Sequence, residues 1–122
     1  MLISKLIRYV DQVYESNGGG NGYSEELILE WINQVGQNIA VYKPGEKEPY
    51  ESIEAVTPEA KTLCDEPYDQ MYVDFILAQM AKFDKDFESY QQHIASYNNW
   101  FSEYMMWVRR NTKEISRWEG WL

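Results

Sequence analysis

The chain of 122 residues is 44% hydrophobic and 16% aromatic, carries a formal net charge of −9 and contains one cysteine. This length suits a single domain with one modest core, and the hydrophobic content argues against a disordered chain despite the charge. After position 108 the basic residues outnumber the acidic ones by two, so residues 1–108 carry a net charge of −11. This acidic part of the chain would repel nucleic acid phosphates, so direct binding to nucleic acid is disfavoured, although the charge is also explained by solubility alone.

Neither the cysteine count nor the first residues indicate secretion or membrane insertion. Cys64 has no partner for an internal disulfide, which suits a reducing compartment. Lys5, Arg8 and Asp11 interrupt the first apolar run, so we expect no signal peptide. No apolar stretch is long enough to span a bilayer, and the sequence therefore predicts a soluble intracellular protein.

The first predicted helix spans residues 2–15. Its apolar side chains form one broad stripe, as an amphipathic helix requires: Leu2, Ile3, Leu6, Ile7, Val10, Val13 and Tyr14. The glycine-rich run 16–22 ends it. A glycine-rich loop can cradle phosphate, but this one follows a helix and lacks the Lys-Ser/Thr ending, so we interpret it as a flexible linker.

The second predicted helix spans residues 25–40. Ser24 is a suitable N-cap, and Glu25 and Glu26 in the first turn interact favourably with the positive end of the helix dipole. Tyr23 and Ile28 have the spacing of a hydrophobic staple. Residues 41–66 are then expected to form a long acidic loop, because three prolines within them forbid a long helix.

The third predicted helix spans residues 67–82, with Pro67 at its first position and Asp65 or Glu66 as the cap. Residues 83–86 leave room only for a tight antiparallel turn before the fourth helix, residues 86–110. The predicted fold is therefore all-α: one domain over residues 1–122, built as a small bundle of about four helices with a C-terminal tail at 111–122.

The fourth helix carries the strongest pattern, and we interpret it as the element that organises the chain. Seven apolar residues follow one another at alternating steps of three and four: Phe87, Tyr90, Ile94, Tyr97, Phe101, Tyr104 and Val108. This spacing excludes a strand and predicts a buried seam about 33 Å long. Most of the seam is Phe or Tyr where a two-stranded coiled coil prefers aliphatic residues, which favours a bundle core over a coiled-coil dimer.

A second stripe flanks this seam. His93, Trp100 and Trp107 stand seven residues apart, and Met105 and Met106 widen the apolar surface. A thicker core explains the stripe most simply. An apolar surface around most of one turn also indicates contacts on more than one side, so Trp100, Met105, Met106 and Trp107 are candidates for contact with a partner subunit.

The sequence predicts no enzyme, no cofactor and no metal site. One histidine and one cysteine cannot assemble a zinc or haem ligand set without relying on carboxylates. Tyr90, three residues before His93, stands where the Glu of a di-iron motif would be. The acidic stretch around Cys64 blunts it as a nucleophile, and no two acids are marked as a catalytic pair.

Several segments together resemble the head-tail connector (adaptor) proteins of long-tailed phages and prophages of Gram-positive bacteria. The similarity extends over most of residues 3–111, while the glycine run, the loop 43–64 and the Trp-rich tail depart from it. It is carried, in order, by NGYSEE at 21–26, LEWIN at 29–33, EPYDQMY at 66–72, YNN at 97–99 and WVRRN at 107–111.

The resemblance implies an all-helical virion subunit that assembles in the host cytoplasm into a ring, commonly of twelve copies, in the neck below the portal. The ring would bridge the portal protein and the next component, a stopper or tail protein, and DNA would pass through its lumen without sequence-specific binding. It also implies that the C-terminal segment reaches the portal. The candidates for that contact are Arg109, Arg110, Arg117, Trp118, Trp121 and Leu122.

Two alternatives remain open at this stage. The tail tryptophans, Trp118 and Trp121, either fold back on their own chain or dock on another. The whole protein could instead be a small acidic helical adaptor or inhibitor that binds a basic protein. A monomer or dimer in complex with a basic protein would indicate this alternative.

Overall fold

The structure, a computed structural model, describes residues 1–16, 22–42 and 59–111, together with the side chains of all but 40–42 and 111. These residues form four helices, and the part of the chain described contains no strand beyond an isolated bridge: α1 Ile3–Ser16, α2 Glu25–Tyr42, α3 Gln70–Phe83 and α4 Phe87–Asn111. The predicted all-α class is confirmed. Most of the predicted acidic loop, 43–58, and the tail from 112 onward lie outside the described residues.

The centre of the bundle is α3, not α4 as the sequence pattern indicated. Ten of its 14 residues are buried, on every side of the helix. A helix that is apolar all round must be covered all round. α1, α2 and α4 each pack against it, so α3 joins three elements while the seam of α4 covers one side of it.

The predicted seam of α4 is buried only in part. Tyr97, Tyr104 and Val108 are buried, whereas Phe87 at the start of the helix is 65% exposed. The expectation that all seven side chains are buried is therefore wrong for Phe87. It is the first residue of α4, directly after the turn at which α3 ends, so α3 has no residues left to cover it.

Three helix ends follow ordinary capping chemistry: the start of α2, the end of α3 and the start of α4. The amide of Leu27 donates to Ser24 Oγ at 3.2 Å, which confirms the predicted N-cap of α2. α3 ends in a Schellman motif, in which the amide of Asp86 donates to the Ala81 carbonyl at 2.9 Å and Lys85 adopts a φ of 62°. Asp86 Oδ1 then accepts from the Ser89 amide at 3.2 Å, so the tight turn both closes α3 and caps α4.

The segment before α3 pairs with the N-terminus. The amide of Ile3 donates to the Ala60 carbonyl and that of Thr62 to the Met1 carbonyl, both at 2.9 Å, around an antiparallel bridge between Leu2 and Lys61. This pairing holds the end of the acidic segment against the base of α1. Nothing in the local composition of either stretch marks it as paired.

α3 begins at Gln70, three residues later than predicted. Residues 65–71 make turns of the i→i−3 kind instead, such as the 2.8 Å bond from the Tyr68 amide to the Asp65 carbonyl. Asp69 precedes the helix without a side-chain cap bond, because its buried carboxylate lies 3.5 Å from the Met1 ammonium. None of the helices described is long and apolar enough to cross a membrane.

Candidate interaction surfaces

Large apolar side chains remain exposed near both ends of α4, and also within α1 and directly before it. We call Phe83 and Phe87 the turn patch; they are 57% and 65% exposed. We call Met106 and Trp107 the C-terminal patch; they are 42% and 40% exposed. The others within the described ranges are Leu2 and Tyr9. The turn patch and the C-terminal patch lie about 30 Å apart along the helix axis.

The flanking stripe of α4 proves to be partly core and partly surface. The ring of Tyr68 lies 6.4 Å from that of Trp100 and 5.8 Å from that of Trp107, measured between ring centres. Trp100 and Met105 are half-buried against the core. Of the four predicted inter-subunit residues, Met106 and Trp107 are therefore the two with the larger exposed fractions, and whether they contact a neighbouring copy stays a prediction.

A groove of about 270 Å³ opens beside the C-terminal patch. We call it the Trp107 groove; residues 63–68 form one wall, and Tyr104 and Trp107 form the other. Asp65 and Glu66 are exposed, so two carboxylates stand at its rim. Its volume is below the usual range for drug-sized ligands, and it suits a single large side chain better than a substrate.

Cys64 lies in the wall of this groove and is only 2% exposed. Burial, with the charge of Asp69 adding to it, raises the pKa of the thiol to about 12. A thiol in that state is protonated at neutral pH and is a poor nucleophile. The sequence predicted a blunted thiol from the neighbouring acids, whereas burial is the main cause.

An aromatic cluster underlies the turn patch, and sequence analysis did not predict it. Trp31 of α2 lies 5.7 Å from Phe83 and 5.8 Å from Tyr23 between ring centres, and Tyr23 lies 5.8 Å from Tyr14. Tilted and edge-on contacts at these distances stabilise aromatic pairs beyond their buried area. Phe83 lies 52 positions after Trp31 in the chain, so no local spacing could have placed it in this cluster.

A carboxylate at the end of α3 ties this cluster together. Asp84 accepts hydrogen bonds from the Tyr14 hydroxyl at 2.6 Å and the Tyr23 hydroxyl at 2.5 Å. The pKa of Tyr14 is raised mainly by this bond, and that of Tyr23 is raised by burial first and by the bond to Asp84 second. Both tyrosines therefore keep their protons, and the contact connects α1, the start of α2 and the end of α3.

A buried carboxylate also lies between α3 and α4. Asp74 is 8% exposed, accepts a 2.8 Å hydrogen bond from Ser96 Oγ and lies 3.6 Å from His93 Nδ1. These are the residue types of a hydrolytic triad, but the serine donates to the carboxylate and not to the imidazole. A nucleophile needs the imidazole as its base, so this arrangement satisfies a buried acid and provides no activated serine.

The predicted portal-contact residues fall into two groups. Arg109 and Arg110 are exposed in the last turn of α4, where cations favour the negative end of the helix dipole. Arg117, Trp118, Trp121 and Leu122 lie outside the described residues. Among the residues described, no three His, Cys, Asp or Glu side chains are grouped so as to hold a metal ion.

Comparison of the chain with models of protein families, with curated proteins and with solved structures finds no match in any of the three.

Proposed function

We propose that this protein is a head-tail connector subunit. In this role it forms a ring in the neck of a phage virion, between the portal and the next neck or tail component. The observation that carries the proposal is the presence of two separate apolar patches at opposite ends of α4. A ring with cyclic symmetry requires two different surfaces on each subunit, one for each neighbour.

The chemistry of the two patches suits such contacts. Phe83 and Phe87 in one, and Met106 and Trp107 in the other, belong to residue types that interfaces favour. The all-helical bundle and the order of the resembling segments support the same proposal. The work of such a subunit is assembly, so it requires no catalytic group.

The acidic composition supports the passage of DNA through the ring. With a net charge of −9, a surface facing the lumen would repel phosphates rather than bind them. Repulsion prevents the genome from adhering to the channel during ejection. The tail residues after Asn111, with Arg109 and Arg110, would provide the contact with the portal.

Native mass spectrometry of the full chain, alone and with a portal ring from the same phage, tests the proposal. We expect a closed ring of about twelve copies on the portal. If the chain instead stays a monomer or dimer and ignores the portal but binds a basic protein, the connector function is wrong and the acidic adaptor or inhibitor is right.

A further inference from the structure

We propose that Phe87 of one subunit inserts into the Trp107 groove of a neighbouring copy. This inference rests on the proposed function, since it names the contact by which neighbouring subunits of the ring would join. Phe87 has the largest exposed fraction of the exposed large apolar side chains within the described ranges, at 65%. The groove of about 270 Å³ has room for one phenyl ring.

The ring in the groove belongs to a second copy because a subunit's own Phe87 is too far away. Phe87 and Trp107 stand twenty residues apart in one helix, so about 30 Å separates them along its axis. Each copy therefore carries one projecting ring and one groove at opposite ends of α4. A contact between two such different surfaces is heterologous, and copies joined by it form a ring if the rotation between them closes.

Of the two residues in the turn patch, Phe87 is the better occupant. Phe83 already packs within its own subunit, where its ring centre lies 5.7 Å from that of Trp31 and 5.9 Å from that of Tyr23. Phe87 is the first residue of α4 and lies beyond the end of α3. Insertion of its ring into a groove would remove apolar surface from water, which favours the contact.

One wall of the groove combines apolar surface with acidic groups at its rim. Leu63 and Tyr68 are half-buried in this wall and Pro67 is exposed, so part of their apolar surface remains accessible. Asp65 and Glu66 are exposed beside them. The wall therefore suits an apolar side chain that is flanked by cations.

Two lysines beside Phe87 provide these cations. Lys85 precedes Phe87 by two residues and Lys82 lies in the last turn of α3, and both side chains are exposed. Asp84 and Asp86, the acids of the same turn, already accept hydrogen bonds within their own subunit. With the phenyl ring in the groove, the ammonium groups would meet the rim carboxylates. The contact is then locally attractive although each copy carries a net charge of −9.

The remaining acid next to Phe87 also has a counterpart on the neighbouring copy. Glu88 is exposed in the first turn of α4, and Arg110 is exposed one turn beyond Trp107. A neighbour seated on the groove would therefore find a cation for its Glu88 as well as acids for its lysines.

The backbone at Lys85 provides an independent argument. Its φ of 62° lies in the left-handed region, where a residue with a side chain is less favourable than glycine. Strained conformations of this kind are concentrated at functional sites. A lysine at this position lowers the stability of the isolated subunit and places an ammonium group beside Phe87.

Disulfide formation between copies tests the contact. Two forms of the full chain, both with Cys64→Ala, are mixed at high concentration: one carries Gln91→Cys, one turn beyond the turn patch, and the other Glu66→Cys at the groove rim. In the matched control Ser102→Cys replaces Glu66→Cys, because Ser102 is exposed on the side of α4 away from Trp107. We expect the mixed disulfide to form about tenfold faster than in the control, since docking holds the two thiols close together.

Equal rates in the two mixtures would overturn the docking. A predominance of disulfides between identical copies would also overturn it, because it would show that like surfaces meet. Ring formation by the unmodified chain on a portal is measured separately by native mass spectrometry. Rings without the faster crosslink would keep the connector function and reject this contact, whereas the crosslink without rings would keep the contact and reject the connector function.

Charge reversal with Cys64 intact provides a second test. Lys85→Glu or Glu66→Lys alone should reduce the number of copies joined several-fold, and the two substitutions together should restore part of it. Within one subunit these residues lie beside opposite ends of α4, so such a rescue acts between copies. Lys85→Gly should also weaken assembly, although glycine suits the φ of 62° and should raise Tm. Unchanged assembly of the Lys85 variants, or no rescue by the double variant, would overturn the contact.

Discussion

The hydroxyl of Tyr23 donates a 2.5 Å hydrogen bond to Asp84 Oδ1 and thereby joins the start of α2 to the end of α3. The two residues are 61 positions apart in the chain. Tyr14 donates to the other oxygen of the same carboxylate, so one exposed acid holds three helices together at the turn end of the bundle.

We expect Tyr23→Phe to lower the free energy of unfolding by about 1 kcal/mol, the usual net value of a hydrogen bond in a partly exposed setting. Tyr9→Phe is the control, since Tyr9 is exposed and should change stability by less than about 0.5 kcal/mol. Urea denaturation followed by circular dichroism measures both. Equal values for the two variants would show that the bond to Asp84 contributes nothing.

The same contact predicts a loss of stability at alkaline pH. The pKa values of Tyr14 and Tyr23 are raised in the folded state, whereas an unfolded tyrosine titrates near pH 10. The stabilisation is therefore complete below about pH 10 and is lost as the pH rises through the higher folded-state values. The Tyr14→Phe, Tyr23→Phe double variant should show a shallower fall in unfolding free energy between pH 9 and 11. An unchanged slope would contradict the assignment.

The Schellman motif at the end of α3 predicts substitutions of opposite effect at two nearby lysines. Lys85 has a φ of 62°, which glycine adopts without the steric cost of a side chain. Lys85→Gly should therefore stabilise the protein by about 0.5–1 kcal/mol. Lys82→Gly, inside α3, should destabilise it by about 1 kcal/mol. Thermal unfolding measures both variants, and a shift of Tm in the same direction for both would exclude this explanation.

The buried Asp74 predicts a specific role for Ser96. Ser96→Ala removes the hydroxyl that donates to Asp74 Oδ2, so this buried carboxylate oxygen loses its hydrogen bond from Ser96. We expect a loss of about 1–3 kcal/mol in unfolding free energy. Ser102→Ala on the exposed side of α4 is the matched control and should have little effect or a small stabilising one. If Ser96→Ala changed the unfolding free energy as little as Ser102→Ala does, the contact with His93 would be sufficient to stabilise the Asp74 carboxylate.

The proposed ring predicts that a charge in either patch prevents closure. Met106→Glu or Phe87→Glu should reduce the number of copies held on a portal, while Ser102→Glu should not. An equimolar mixture of the two patch variants should yield pairs but no ring, because each pair has only one intact contact. Full rings from either variant alone, seen by native mass spectrometry, would exclude its patch from the interface.

The proposed portal contact predicts the effect of shortening the tail. Removal of residues 114–122 should abolish binding to the portal while the helicity of the remaining chain is unchanged. Pull-down on a portal ring and far-UV circular dichroism measure the two properties. Undiminished binding would place the portal contact elsewhere, for example at Arg109 and Arg110 alone.

The four helices could be predicted from the sequence because a helix is specified locally. The spacing of apolar residues indicates which face of a helix is buried, and Ser24 and Asp86 provide hydrogen bonds within three residues. All four helices were predicted, and the bounds of α1 and α4 differ from the structure by one residue. The predicted start of α3 was three residues early, because residues 65–71 make i→i−3 turns; Asp69 in this stretch lies 3.5 Å from the distant Met1 ammonium.

Only the tertiary structure decided which segments cover each face of a helix. The regular seam of α4 made it look like the centre of the chain, but α3 is central because three helices contact it. The groove beside Trp107 and the two tyrosines on Asp84 likewise depend on segments brought together from far apart. Side-chain spacing encodes a direction around a helix axis, and only packing determines whether another part of the molecule lies in that direction.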